Sequence, residues 1–431
     1  MIQQEPSLRP ITYHTVTLGA LTREGDALAE ITIQGEDGQS AEHTLPVPAG
    51  LPGEVVTIAV EMPVSRAGKS RRRRHYKPRL PRVWIMALHQ PSPLRVEAAC
   101  PVFGVCGGCQ LQHMQYAAQL EWKRGIVDHL LRDVGQFADP PLRETIACDD
   151  PWHYRNHMRF SVNREGRPGL TARGTHRVLP LTACPIAHEQ INRALAVMSD
   201  LPNARPQLLI RCGAATGQML IQPAPGEEAL AQLAAAGLDI HTETMEEKLG
   251  GQTFRVRPSS FFQTNTAQAE KMARMVLDGL RNDAGRPLTI VDAYCGVGTF
   301  ALLLAQHAAR VIAIEESPSA IYDAQWNLRD TPNVDIMKGK VEALLPALAE
   351  QIDGLVIDPP RTGCQSSVLD ALARHPVPRV VYVSCDPATL ARDLHILCHV
   401  HAAYRLLSVQ PLDMFPHTAH IECVTVLEHS T

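Results

Sequence analysis

The sequence lacks the features that would direct it into a membrane or out of the cell. No apolar run in its 431 residues reaches the roughly 20 residues that a helix needs to cross a bilayer. The first residues, "MIQQEPSLRPITYH", do not have the charged-then-apolar layout of a secretory signal. Eleven cysteines in such a chain are not expected to form a disulfide framework. We therefore predict a cytoplasmic monomer without membrane contact, whose reduced thiols serve metal binding or catalysis.

Acidic residues are absent between Glu61 and Glu97, although the whole chain carries a formal net charge of -4. Ten basic residues fall in this interval: Arg66, Lys69, Arg71, Arg72, Arg73, Arg74, Lys77, Arg79, Arg82 and Arg95. So dense a positive charge, with Tyr76 available for stacking, favours contact with the phosphates of a nucleic acid. A solvated linker is the alternative interpretation.

The chain has no internal repeat, and its patterning predicts three domains. Residues 10–62 alternate with period two and indicate four or five short strands, which suggests a small OB-type barrel. With the basic run, this barrel makes a first domain of residues 1–82. Residues 83–250 mix helix and strand in a central α+β domain. Residues 251–431 alternate strands with helices, which predicts an α/β domain with a doubly wound parallel sheet.

A glycine turn marks the first strand of this last domain. The stretch "LTIVDAYCGVGTFALLLAQHAA" reads as strand, turn and helix, and Gly296 and Gly298 let a nucleotide-like ligand approach the helix start. The next strand, "RVIAIE", ends at Glu315, where a carboxylate can accept hydrogen bonds from ribose hydroxyls. Because "GVGTFA" also fits the nicotinamide-binding pattern, an NAD-dependent oxidoreductase stays open as an alternative.

Two later strand ends favour methyl transfer over hydride transfer. The fourth strand ends in "GLVIDPPRTG", and an acidic DPP at this place is typical of enzymes that use S-adenosylmethionine. DNA amino-methylating enzymes follow DPP with an aromatic residue, whereas this chain has Arg361, which argues against an exocyclic amine as the methyl acceptor. The fifth strand, "VVYVS", ends at Cys385, and Pro387 then opens a helix.

A thiol at this edge can activate a pyrimidine for methylation. Carbon 5 of uracil is a poor nucleophile, but a thiolate that adds to carbon 6 creates an enolate that can attack a sulfonium methyl. A base must then remove the hydrogen from carbon 5. The stretch "PLDMFPHTAHIECVTVLE" supplies Glu422 at the start of the last predicted strand. An inert, buried Cys385 is the alternative interpretation.

Five ordered motifs, "SSFFQTN", "DAYCGVGTF", "DPPR", "SCDPATLARD" and "HTAHIECV", resemble the RNA uridine-carbon-5 methyltransferase family over nearly the whole chain. The similarity is closest to its bacterial 23S ribosomal RNA branch, and transfer RNA is the alternative substrate. The resemblance implies a class I (Rossmann-like) S-adenosylmethionine methyltransferase domain, an N-terminal TRAM barrel, Cys385 as nucleophile and Glu422 as base. It also implies the following cofactor contacts: Gln263, Tyr294, Thr299, Glu315, Lys340 and Asp358.

A second set of cysteines predicts a four-sulfur site. "CPVFGVCGGC" contributes Cys100, Cys106 and Cys109, and "LTACPI" contributes Cys184. The spacing alone fits either a [4Fe-4S] cluster or structural zinc. The resemblance, which matches all four positions, favours the iron-sulfur cluster, held in the central domain.

One residue departs from the family pattern. The family usually has Ser-Cys-Asn-Pro, whereas this chain has Asp386. An aspartate keeps the acceptor for a helix cap, but its charge would disfavour a neighbouring thiolate. We predict that the carboxylate points into the cap. The alternative is a catalytically impaired protein that acts in RNA binding or ribosome assembly.

Overall fold

The computed structural model describes residues 11–34, 40–62, 81–201, 205–281, 288–348 and 351–430. Most of the basic run lies outside these ranges. The chain forms two compact units, the first of Met1–Gln119 with His417–Ala419 and the second of Leu120–Pro416 with His420–Thr431. The three-domain division from the sequence stays a prediction.

The first unit consists of short antiparallel strands, as the period-two pattern predicts. They are β1 (Ile11–Thr17), β2 (Ala27–Gln34), β3 (Ser40–Val47), β4 (Val55–Glu61) and β5 (Arg82–Gln90). β4 lies between β1 and β5, and β2 pairs with β3. β5 has no counterpart among the predicted strands, and its pairing with β4 carries the unit past residue 82. Closure of these strands into a TRAM barrel stays a prediction.

The two described members of the basic set form ion pairs within this unit. The Nε atom of Arg95 lies 2.5 Å from Oε1 of the buried Glu54, and its Nη2 atom donates to Oε2 of the same carboxylate. Arg82 lies 3.3 Å from Glu61 across the β4–β5 pair. The charge of Arg95 is therefore neutralised within the protein, and phosphate contact by the other basic residues stays a prediction.

The second unit begins with a mixed segment of helices and strands. Its elements are α1 (Tyr116–Asp133), β6 (His157–Val162), β7 (Pro168–Thr171), β8 (Val178–Pro180), α2 (Glu189–Asp200), β9 (Gln207–Cys212), β10 (Gln218–Gln222), α3 (Glu227–Ala235), β11 (Asp239–His241), β12 (Met245–Leu249) and β13 (Gln252–Val256). Six of these strands form a sheet in the order β11-β10-β9-β6-β7-β8, and β12 pairs with β13 in a hairpin. The segment thus has the α+β composition that the sequence predicts.

The C-terminal segment forms the doubly wound sheet that positions the candidate site. Its elements are α4 (Thr266–Gly279), β14 (Thr289–Ala293), α5 (Thr299–Leu304), β15 (Arg310–Glu315), α6 (Pro318–Asn327), β16 (Val334–Lys338), α7 (Val341–Leu344), β17 (Gly354–Ile357), α8 (Ser366–Arg374), β18 (Arg379–Ser384), α9 (Pro387–His395), β19 (Tyr404–Leu412) and β20 (Glu422–His429). A 3₁₀ turn, Leu345–Ala347, follows α7, and a π-helical turn, Ile396–Val400, follows α9.

The strand order in this sheet is β16-β15-β14-β17-β18-β20-β19. The first five strands are parallel, and β20 runs antiparallel to both β18 and β19. Helices cover both faces of a parallel sheet, so its central strands are apolar throughout, as the fully buried β17 and the nearly fully buried β18 illustrate. The predicted doubly wound α/β domain is confirmed.

No helix among the described residues combines the length and the apolar character that a membrane span requires.

Candidate active site

Cys385 follows β18 at the carboxyl edge of the sheet, and α9 begins two residues later, as predicted. Asp386 is the N-cap of α9, and its Oδ1 accepts hydrogen bonds from the backbone N–H groups of Ala388 (2.9 Å) and Thr389 (3.3 Å). The helix N-terminus carries partial positive charge that stabilises a carboxylate there. The prediction that the Asp386 carboxylate points into the helix cap is therefore confirmed.

Glu422 begins the strand that pairs with β18. The antiparallel register joins Arg379 to Glu428 and Ser384 to Cys423. Continued by one residue, this register sets Cys385 opposite Glu422. Directly opposite residues have Cβ atoms about 4.5–5.5 Å apart and side chains on the same face. The two residues predicted as nucleophile and base, separated by 37 positions in the chain, thus meet at one edge of the sheet.

Burial and the neighbouring charges shift the pKa values of Cys385 and Glu422. Burial raises the pKa of the Cys385 thiol to about 11, and the Glu422 and Asp358 carboxylates add to the rise. Burial, with Asp358, also raises the pKa of Glu422 well above its ordinary value. The guanidinium of Arg361 lowers both pKa values. Arg361 therefore supplies positive charge beside the thiol, a role that its position after DPP did not reveal.

A cavity opens next to this edge. Four of the six predicted cofactor contacts line it: Gln263, Tyr294, Thr299 and Asp358. Asp358 follows β17, the neighbour of β18, so its carboxylate faces both the cavity and the thiol. Burial raises the pKa of Asp358 to about 7. A carboxylate at this point can attract a cationic ligand in the cavity.

The glycine turn makes the cavity accessible. Gly296 has φ = +57°, and a Cβ placed there would meet no heavy atom within 4 Å, so a ligand can approach its backbone. Gly298 has φ = +85°, and a Cβ there would lie 2.9 Å from the Leu328 side chain on α6. Glycine is thus needed at 298 for the turn and for helix packing. Tyr294 also adopts positive φ, at +65°, and its hydroxyl donates to Glu342 at 2.9 Å.

The other two predicted cofactor contacts lie outside the cavity lining. Glu315 ends β15, and its carboxylate accepts the N–H groups of Gly296 (2.9 Å) and Ser317 (2.7 Å). Each carboxylate oxygen has a second lone pair, so Glu315 can still accept from ribose hydroxyls. Lys340 is exposed at the start of α7. The structure places Glu315 at the glycine turn. Lys340 does not line the cavity, so its cofactor role stays a prediction.

Phe261 is a site residue that the sequence analysis did not single out. Its side chain is 66% exposed and lines the cavity, whereas the adjacent Phe262 is buried in the core. An exposed aromatic ring beside a ligand cavity is suited to stacking on a base. The doubled phenylalanine in "SSFFQTN" was the available signal, because two successive side chains of an extended segment cannot both face the core.

A buried ion pair supports the segment that leads to Glu422. Lys123 on α1 and Asp413, just after β19, are both fully buried, and Nζ lies 2.5 Å from Oδ1. The same Nζ donates to the carbonyl of Phe415 at 3.1 Å. Both residues belong to the second unit, so this pair fixes the chain directly after β19 against α1 within it.

Replacing Lys123 by methionine will lower the free energy of unfolding by about 3–5 kcal/mol, because it leaves the buried carboxylate without a cation. The double variant Lys123→Met/Asp413→Leu will recover most of this loss, since neither charge is then buried alone. Urea denaturation followed by circular dichroism measures both. The control is Arg132→Met on the same helix, whose solvent-screened pair with Asp128 should contribute far less to stability. Equal losses at positions 123 and 132 would contradict the argument.

The four predicted cluster ligands fall in both units. Cys100, Cys106 and Cys109 belong to the first unit, and Cys184 belongs to the second. Burial raises the pKa of Cys106, with neighbouring Cys100 adding to the rise, and Cys106 Sγ accepts the N–H of Gly108 at 3.4 Å. Within the described ranges, no group of three or more His, Cys, Asp or Glu side chains is arranged to hold a metal ion. The cluster stays a prediction.

Comparisons with known proteins find similar RNA methyltransferases. Residues 237–430 match the family described as tRNA (uracil-5-)-methyltransferase. An uncharacterized RNA methyltransferase of Gloeobacter violaceus is 38% identical, with 96% of each chain covered. An uncharacterized RNA methyltransferase of Halalkalibacterium halodurans is 33% identical, again over 96% of each chain.

A solved structure shares the fold across almost the full length. It is the tRNA (uracil-54, C5)-methyltransferase of Pyrococcus abyssi in complex with S-adenosyl-L-homocysteine, with a TM-score of 0.70 and 22% identity over 96% of this chain and 99% of that one. At this identity the likeness shows the methyltransferase fold alone. The full-length relatives show that the chain belongs to a family of RNA methyltransferases, and its residues 237–430 match the tRNA (uracil-5-)-methyltransferase family model.

Proposed function

We propose that the protein methylates carbon 5 of a specific uridine in 23S ribosomal RNA, with S-adenosyl-L-methionine as methyl donor. The observation that carries this proposal is the pairing of β18 with β20 up to Ser384 and Cys423, which brings Cys385 and Glu422 to one edge of the sheet, where Asp358 interacts with both. A thiol and a carboxylate at one edge are the two groups that addition to a pyrimidine and removal of its carbon 5 proton require.

The residues around the cavity fit the proposed donor. The open face of Gly296 admits the ligand, Glu315 is available for ribose hydroxyls, and Asp358 offers a carboxylate to a positive charge. When bound, S-adenosylmethionine supplies a methyl group on a positively charged sulfonium. Gln263, Tyr294 and Thr299 complete the proposed contacts from the cavity wall.

In the proposed mechanism, the Cys385 thiolate forms a bond from Sγ to carbon 6 of the uracil. The displaced electron pair moves through carbon 5 to the carbonyl oxygen at carbon 4, and carbon 5 then takes the methyl group. Glu422 accepts the proton that remains on carbon 5, and the released pair restores the 5,6 double bond as the Sγ–C6 bond breaks. Arg361 favours the thiolate over the thiol, and Phe261 stacks on the RNA base at the cavity mouth.

The raised pKa values predict how the reaction responds to pH. With the thiol pKa raised to about 11, the reactive thiolate is a small fraction at pH 7 and grows about tenfold per pH unit. The rate of covalent trapping on RNA that contains 5-fluorouridine should therefore rise by about tenfold per unit between pH 7 and 9. Single-turnover gel assays measure it, and Arg361→Gln should lower the rate at every pH. If the trapping rate instead stopped rising below pH 8, the Cys385 thiol would ionise closer to neutral pH, and the raised pKa would be contradicted.

Transfer RNA is the second candidate substrate. The description of the family that residues 237–430 match names tRNA as the substrate. The structural relative from Pyrococcus abyssi is named as a tRNA (uracil-54, C5)-methyltransferase. The resemblance of the sequence motifs to the bacterial 23S branch is the reason to propose ribosomal RNA first. Mass spectrometry of nucleosides from ribosomal and transfer RNA, with and without the gene, tests this. Loss of 5-methyluridine from 23S RNA alone supports the proposal, and loss from tRNA alone supports the alternative.

We further propose that Cys100, Cys106, Cys109 and Cys184 bind a [4Fe-4S] cluster. Three of these thiols lie within ten residues, and Cys106 Sγ already accepts a backbone N–H, as cluster sulfurs commonly do. The mechanism needs no electron, so the cluster would act structurally. Iron and acid-labile sulfide analysis of anaerobically purified protein should give about four of each per chain. Stoichiometric zinc without sulfide would favour the zinc alternative.

The catalytically impaired RNA-binding factor has lost its main motivation. That alternative depended on a carboxylate charge beside the thiol, and Asp386 instead accepts two N–H groups of α9. Trapping on 5-fluorouridine RNA separates the two possibilities, since a binder without catalysis forms no covalent complex.

A further inference from the structure

Five side chains on the surface of the second unit form an alternating stack, here called the arginine–aromatic ladder. The guanidinium of Arg257 lies 3.6 Å from the ring centre of Tyr322, and that of Arg255 lies 5.5 Å from the same ring. Arg255 also lies 3.9 Å from the ring centre of Trp326, and Arg329 lies 4.4 Å from it. Arg255 in β13, Arg257 just after it and Arg329 just after α6 thus alternate with two aromatic rings of α6.

The ladder is open to solvent and only partly neutralised. The side chains of Tyr322 and Trp326 are 49% and 45% exposed. Arg329 pairs with exposed Asp330 at 3.2 Å, and Arg257 pairs with a buried aspartate, Asp323. For the central guanidinium, that of Arg255, the described residues offer no carboxylate partner. Arg255 is half-buried and its Nε atom is buried, so only the terminal nitrogens of this guanidinium remain as donors for an anion.

Buried polar groups hold the two sides of the ladder together. The side chain of Asn327 on α6 accepts the N–H of Arg255 at 2.8 Å and donates to its carbonyl at 3.1 Å. The same amide donates to the carbonyl of Val297 in the glycine turn at 3.0 Å. The buried Asp323 accepts the N–H of Arg257 at 2.9 Å. The ladder is therefore a preorganised surface, coupled through one side chain to the wall of the cavity.

The ladder lies close to the proposed entry of the target base. Arg257 precedes Phe261 by four residues, and four residues of extended chain span at most about 14 Å. Phe261 lines the cavity. A nucleotide next to one held at Phe261 is therefore within reach of the ladder.

We propose that the arginine–aromatic ladder binds the RNA strand that flanks the target uridine. Its guanidinium edges contact phosphates, and unpaired bases stack on the outer planar faces at the two ends of the ladder, which is how single-stranded RNA is recognised without a base-specific code. This proposal rests on the proposed function, because it assigns the surface to the substrate of the same site. The ladder would hold the flanking strand while the uridine leaves its stack to reach Cys385.

The first test measures RNA affinity of the full-length protein. The probes are a fluorescein-labelled 15-nucleotide oligouridylate and the unmodified 23S transcript, both followed by anisotropy or filter binding. The double variant Arg255→Gln/Trp326→Ala should raise the Kd for oligouridylate by on the order of tenfold or more, since one stacked base contributes about that factor. The slope of log K against log salt should fall by about 0.7 per lost phosphate contact. The matched control is Arg310→Gln, whose partly exposed guanidinium pairs with Asp335, and its Kd should stay within twofold of wild type.

A second pair of measurements separates RNA binding from a purely structural role. Arg255→Lys keeps the charge but loses the planar face, so its Kd should rise by less than that of the double variant while its unfolding midpoint stays near wild type. Binding of S-adenosyl-L-homocysteine, measured by calorimetry, should be unchanged in every variant. If the ladder variants unfold more readily yet bind both RNA probes as wild type does, the ladder is structural and the proposal is overturned.

The outcome for the ladder is distinguishable from the outcome for the proposed function. If wild type produces 5-methyluridine and the ladder variants bind and methylate RNA equally well, the ladder assignment fails and the function stands. If wild type forms no 5-methyluridine but the variants still lose RNA affinity, the ladder assignment stands and the function fails.

Discussion

Replacing Cys385 by alanine will lower methyl transfer to RNA by at least about 10⁴-fold, which is the largest single effect that we expect. Removing the covalent nucleophile of a well-studied hydrolase lowers kcat by on the order of 10⁶, and carbon 5 of uracil has no other route to nucleophilic character in this site. Alanine removes only Sγ from a half-buried position next to the end of β18. The variant should therefore fold and bind RNA as wild type does.

The measurement is transfer of a radiolabelled methyl group to ribosomal transcripts, with covalent trapping on 5-fluorouridine RNA as a second readout. Both should be lost in Cys385→Ala. The matched control is Cys398→Ala, in the π-helical turn after α9, because burial raises the pKa of that thiol to about 12 and it faces the apolar core. Retained methylation by the Cys385 variant would contradict covalent catalysis at this residue.

The sequence predicted the local features of the site because they depend on residues close together in the chain. The strand before Cys385, the cap at Asp386 and the glycine turn at Gly296 each follow from a pattern of fewer than a dozen residues. Strand order was also predictable in outline, since alternating strands and helices favour a parallel sheet. Glu422 could be proposed only through the family motif, because nothing in its local sequence says which strand lies beside it.

Contacts between distant residues were not predictable. Lys123 and Asp413 are separated by 290 positions, and no pattern in α1 distinguishes this buried lysine from a solvated one. Arg255 meets Trp326 across 71 positions, so the ladder exists only once β13 packs against α6. The strand β5 was missed because its residues adjoin the basic run and it alternates poorly, with an exposed second half. Each of these features depends on contacts between segments that are far apart in the chain, which the local sequence does not specify.

The predictions for Cys385 and Glu422 both depend on the protonation states of these two side chains. In the proposed mechanism, Cys385 must lose a proton for the first bond to form, and Glu422 must gain one for the last bond to break. Burial and the shared presence of Asp358 favour the neutral form of both groups, and Arg361 opposes this for both. The same electrostatic environment therefore controls both steps. A substitution that fixes residue 422 in a neutral form should block removal of the carbon 5 proton. Addition of Cys385 to carbon 6 and methyl transfer should remain possible.

Replacing Glu422 by glutamine will make a covalent complex between protein and RNA accumulate. The amide has the shape of the carboxyl group but cannot take the proton from carbon 5, so elimination of Cys385 should slow by about 10²–10⁴-fold. Stability should change little, because burial already favours the neutral form of Glu422 and the amide is neutral. Methyl transfer to carbon 5 precedes the blocked step, so the trapped RNA should carry the new methyl group.

The complex is measured on unmodified RNA by denaturing gel electrophoresis, with the radiolabelled methyl group in the shifted band. The matched control is Glu428→Gln on the same strand, six residues from Glu422, where the carboxylate pairs with Arg379 and Arg405. At about 3.4 Å per residue that side chain lies roughly 20 Å from the thiol, so its loss should leave turnover intact. Full turnover by Glu422→Gln would assign proton removal to another group. Loss of turnover without any shifted band would place the action of Glu422 before methyl transfer.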